Sequence, residues 1–78
     1  MATELITAAL HGKDFANVTL LIYKEITRRR VLHGTDTADA VEEIYSECGQ
    51  AYAKQYKDHD LFDALWTGVE DLVLTIFE

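Results

Sequence analysis

"VTLLIY", residues 18–23, decides the fold, because a β-branched, continuously apolar run of this length suits a strand as well as a helix. A strand there would have to turn soon after Tyr23. No turn signal stands between Asn17 and Gly34, and the run leads directly into KEITRRRVLH, residues 24–33. The stretch therefore reads as part of one helix over about Phe15–His33, with Asp14 as its N-cap and Gly34 as its terminator.

The flanks follow the same logic. Thr3 to His11 makes a short helix that Gly12 closes in a left-handed conformation. Thr35 or Asp36 caps a third helix, Thr37–Lys57. Asp58, His59 and Asp60 interrupt it, and Asp60 caps a fourth, Leu61–Phe77. The chain has no proline and only four glycines, too few turn residues for an all-β fold. The expected architecture is all-α: residues 1–78 as a single helical domain, a compact bundle of three long helices plus a short N-terminal helix. At 78 residues such a chain is near the lower limit for a self-sufficient core.

Placing residues at 100° intervals assigns faces. The fourth helix gathers Leu61, Phe62, Leu65, Trp66, Val69, Leu72, Val73, Ile76 and Phe77 on one arc, with Leu74 the one large apolar residue on the other. The third gathers Val41, Ile44, Tyr45, Cys48, Tyr52 and Tyr56. The second carries a main stripe of Phe15, Val18, Ile22 and Ile26 that runs on to Arg29 and His33. Leu20, Thr27 and Val31 lie nearly opposite. A helix apolar on two sides is central or meets a second chain, so these three residues are the expected surface for self-association, as a homodimer, or for the same partner protein.

Charge is distributed unevenly. Up to Gly34 there are five basic and three acidic residues; from Thr35 onward there are two basic and eleven acidic, within an overall net charge of −7. Such a balance argues against a general nucleic-acid binder. Asp39, Glu43, Glu47, Asp63, Glu70, Asp71 and Glu78 fall on solvent-facing sides and form the expected partner-binding face, directed at a protein with a basic surface. In the limit such a face acts as a nucleic-acid mimic. Arg28, Arg29 and Arg30 are consecutive and point in three directions. Arg29 falls on the core side, where it outruns the core, snorkels outward or pairs with a carboxylate. Cations in a helix's last turns are in any case favoured, by roughly 0.3–1 kcal/mol each. The alternative function is a nucleic-acid-associated regulator that contacts phosphates through Lys24, Arg28, Arg29 and Arg30.

Catalytic signatures are missing: no Gly-rich phosphate loop, CxxC, HExxH or GxSxG occurs. His59 with Asp58, Asp60 and Asp63 is a poor zinc set, and the aspartates suit a helix start. Cys48, the single cysteine, lies on an apolar face, cannot form an internal disulfide, and fits a reducing compartment. The N-terminus lacks the basic region of a signal peptide and no run reaches membrane-span length, so the expected location is cytoplasmic, with no membrane partner.

The segment Leu61–Gly68, LFDALWTG, resembles a helix of barstar, an acidic inhibitor that plugs the basic active site of a ribonuclease. The likeness is confined to those residues, barstar is α/β, and no residue roles carry over. In size, charge and lack of motifs the chain is similar to the inhibitors that phages direct at host defence or transcription enzymes. The functional expectation is a small acidic, non-enzymatic inhibitor or adaptor, without cofactor, metal or catalytic residue.

Overall fold

A computed structural model describes residues 2–77. Its elements are α1 (Ala2–His11), α2 (Phe15–His33), α3 (Thr37–Tyr56) and α4 (His59–Phe77), with no strand among the described residues. The chain is an all-α bundle of three long helices and a short N-terminal one. VTLLIY lies inside α2. Val18, Ile22 and Ile26 are fully buried while Leu20 is half exposed. Burial thus recurs every four residues, which a strand with its period of two cannot produce.

Caps set the ends of these helices. The Asp14 carboxylate accepts the Asn17 N–H at 3.4 Å to start α2. Gly34 ends it at φ +67, its N–H donating to the Arg30 carbonyl while Thr35 N–H donates to that of Arg29. This paired closure needs a residue at ease in the left-handed region. Two expected ends move. The left-handed residue after α1 is Lys13 (φ 59), not Gly12, because Gly12 N–H still bonds helically to Ala8 at 3.0 Å and the reversal falls one residue later. The cap of α4 is Asp58, not Asp60. Its Oδ1 accepts the Leu61 N–H at 3.0 Å, so the helix begins at His59 and Asp60 sits in its first turn. There its negative charge still favours the helix N-terminus. At α3, Asp36 occupies the N-cap position without a side-chain bond.

One core joins all four helices. α1 contributes Ile6 and Leu10, and His11 fixes its far end to α3. The His11 ring stacks on Tyr56 with centroids 3.7 Å apart, and its Nδ1 lies 3.1 Å from the Tyr52 hydroxyl. Tyr52 is fully buried, and this contact satisfies its polar tip. Between α3 and α4, Gly49 lets the Phe62 ring sit against the helix backbone: a Cβ there would lie 3.2 Å from Phe62 Cε2. Tyr45, Phe62 and Trp66 then pack on one another with centroids 5.5–5.9 Å apart. The radius of gyration, 11.6 Å, matches the value of about 11.5 Å expected for a compact chain of this length.

Two sequence-derived faces are narrower than their apolar pattern. On α4, Leu72 and Ile76 are about half exposed and Leu61 is open as well, whereas Leu74 is partly buried against the core. Leu20, Thr27 and Val31 are likewise exposed, although α2 packs on all three other helices. The second stripe therefore does not make α2 a central helix.

Candidate functional site

The arginines do not share a surface. Arg29 lies on the stripe of α2 that points into the α2–α3 seam, and its side chain is 11 % exposed. Its guanidinium donates Nε–H to Glu25 at 2.9 Å, Nη1–H to Glu43 at 2.8 Å and Nη2–H to Glu47 at 2.8 Å. Of the three fates open to Arg29 in the sequence, carboxylate pairing is the one adopted. Arg28 grips the same Glu25 through two hydrogen bonds of 2.9 and 2.8 Å. Thr3 of α1 donates to Glu47 at 3.2 Å and ties the seam to a third helix. Arg30 leans over Phe77, its guanidinium carbon 5.7 Å from the ring centroid. Lys24 is exposed and makes no ion pair among the described residues.

Electrostatics in the seam follow from this geometry. The Glu25 side chain is almost fully covered, and its pKa drops from 4.5 to about 2, chiefly through the Arg28 hydrogen bonds, against the opposing effect of burial. Glu47 is lowered chiefly by the bond from Arg29, whose own pKa is raised chiefly by Glu47. These shifts share one cause: charges partly removed from water are held by opposite charges at hydrogen-bond distance.

The expected acidic face accordingly divides in two. Glu43 and Glu47 keep part of their surface in water but are committed to Arg29. Asp63 and Glu70, only intermediate in exposure, line a groove of about 340 Å³ between α3 and α4 together with Glu42, Tyr45, Trp66 and Thr67. Asp39 and Asp71 are exposed. Glu78 lies outside the described residues. Within the groove the Tyr45 hydroxyl donates to Asp63 Oδ1, which raises the tyrosine pKa, and His59 Nδ1 lies 3.3 Å from Asp63 Oδ2. Glu42 and Glu70 have neither an ion pair nor a side-chain hydrogen bond among the described residues.

Other reactive candidates are quiet. Cys48 is fully buried, and burial pushes its thiol up to about 11, so it stays protonated at neutral pH. Among the described residues no three His, Cys, Asp or Glu side chains converge on a metal-sized site. An apolar hollow of about 200 Å³ lies between the start of α2 and α4, lined by Phe15, Ala64, Leu65, Gly68 and Leu72. No helix among the described residues is long and apolar enough to cross a membrane.

Two residues of these sites are absent from the faces read in the sequence. Glu25 stands four residues before Arg29, a spacing that places both on one helical face. Glu42 stands three residues before Tyr45 and shares its side of α3. Both spacings are visible in the sequence once Arg29 and Tyr45 are treated as contact partners. Compared with protein-family models, curated proteins and solved structures, the chain matches none.

Proposed function

We propose that the protein is a non-enzymatic binder, an inhibitor or adaptor, that docks the acidic surface of α3 and α4 onto a basic surface of another protein. One observation carries this reading. The groove carboxylates Glu42 and Glu70 have no cation of their own within 4 Å among the described residues, whereas Arg28 and Arg29 are occupied by Glu25, Glu43 and Glu47. Exposed Asp39 and Asp71 add to a field of one sign. Such a field speeds encounter with a basic partner and disfavours acidic ones. The alternative, a regulator gripping phosphates through Lys24, Arg28, Arg29 and Arg30, has less support, because phosphate contacts would have to displace intramolecular ion pairs at Arg28 and Arg29.

Affinity capture from cell extract tests the reading, with three baits side by side. Proteins held by the natural chain should be lost with the Glu42→Lys, Glu70→Lys, Asp71→Lys bait. They should be kept with Lys24→Glu, Arg30→Glu. Loss in the reverse pattern, together with nucleic-acid binding that weakens steeply with salt, would assign the function to the basic residues instead.

A further inference from the structure

We infer that the groove between α3 and α4 receives an arginine side chain of the partner protein. Glu42 and Glu70 would hold the guanidinium beside the Tyr45 ring, and the Trp66 Nε1–H would donate to a backbone carbonyl of the same segment. The inference rests on the docking reading above and specifies its chemistry.

Four features of the groove select this occupant. Asp63 is already engaged by Tyr45 and His59, which leaves one free carboxylate from each helix, Glu42 on α3 and Glu70 on α4. Two carboxylates without a third are too few for a metal-ion cage, but they suit a planar, many-donor cation. The wall between them is aromatic, and a guanidinium stacks on an aromatic face where a compact ammonium gains less. The third feature is Trp66 itself. It is only 4 % exposed, its indole N–H makes no hydrogen bond among the described residues, and no fully covered polar atom lacks a partner. Trp66 is one of the residues that line the groove, with this N–H unpaired among the described residues. It asks for an acceptor, which a bare cation lacks and a polypeptide carries beside every side chain.

The fourth feature is internal precedent. One residue along α3, Glu43 joins Glu25 and Glu47 in holding Arg29 from two helices at 2.8–2.9 Å. Arg30 leans on an aromatic ring at 5.7 Å. The groove combines both modes, with the arginine left to be supplied.

Trp66 is the only tryptophan, so the indole N–H gives a single NMR resonance at the site. Titration with acetyl-Gly-Arg-Gly-amide should shift that resonance saturably. The lysine tripeptide should bind about threefold or more weakly, through loss of the fork and stacking. The Glu42→Gln, Glu70→Gln variant should weaken arginine binding about tenfold, with its remaining amide spectrum unchanged. Arg30→Glu should leave the titration as it is. Equal affinity for the lysine peptide, an unchanged affinity in the double variant, or the same shift from sodium chloride at matched ionic strength would overturn the inference. The two readings fail separately. A tripeptide that ignores the groove, while acidic reversals still strip captured proteins, removes only the arginine site. A tripeptide that fills it, while capture is indifferent to those reversals, removes only the docking role.

Discussion

Glu42 and Glu43 are neighbours on α3 and live in opposite electrostatic conditions. Glu43 turns into the α2–α3 seam and meets Arg29 at 2.8 Å; Glu42 turns 100° away into a groove shared with Glu70 and, among the described residues, no lysine or arginine. Among the described residues the seam contains two arginines for three carboxylates, and the groove none for three. Depth explains the contrast. In the seam Glu25 and Arg29 are withdrawn from water, where an unpaired charge is prohibitively costly, so pairing is a condition of folding. At the groove rim water solvates the carboxylates and folding imposes no such demand. A net charge of −7 therefore conceals two regions with different origins, and only the second leaves negative charge available to a partner.

The strongest way to break this comparison is to remove a member of the seam. Arg29→Ala leaves a covered Glu25 facing only Arg28, and should cost about 3–5 kcal/mol in urea unfolding. Trp66→Ala, which empties the centre of the aromatic packing, should cost a similar 3–5 kcal/mol or so. A chain that melts normally without Arg29 would show that the seam is surface decoration. Replacing Arg29 and Glu25 together by Met and Leu should recover most of the loss, since desolvated ion pairs are commonly no better than apolar packing of similar volume.

Acid provides the next largest effect. The folded pKa of Glu25 lies below its ordinary value, so its contribution is fully present above about pH 4.5 and is lost as pH falls toward 2. The shift from 4.5 to about 2 corresponds to something on the order of 3 kcal/mol, and Glu47 adds in the same direction. Urea midpoints measured from pH 7 down to pH 2 should therefore fall chiefly across that window, and Glu25→Gln should flatten the fall. A Glu25→Gln protein with an unaltered acid profile would place the sensitive carboxylates elsewhere.

How much of this was legible beforehand depends on what each residue answers to. Helix positions follow from local signals, and the ambiguous VTLLIY resolves through the missing turn before Gly34. The caps at Gly12 and Asp60 were displaced by one and two residues because neighbouring Lys13 and Asp58 serve equally well and local sequence does not choose between them. The open flanks of α2 and α4 depend on which sides other helices reach, and periodicity records only that a side is apolar. Arg29 is the clearest case. Its place on the core side was visible, but its three partners come from positions 25, 43 and 47, and only the α2–α3 pairing brings them together. The division of the acidic face has the same origin.

The smallest expected effect is the sharpest test of the contrast. Glu42→Gln with Glu70→Gln should change unfolding free energy by no more than about 0.5 kcal/mol, because neither carboxylate has a partner to lose among the described residues and both remain in contact with water. Relief of repulsion between these groups and Asp63 should, if anything, raise the urea midpoint, and added salt should shrink the difference by screening. The sign discriminates between the two regions: neutralising carboxylates in the seam destabilises, neutralising them in the groove does not. A loss of 2 kcal/mol or more in this double variant would mean that the groove carboxylates are as structural as those in the seam. The groove would then have no negative charge to spare for a partner.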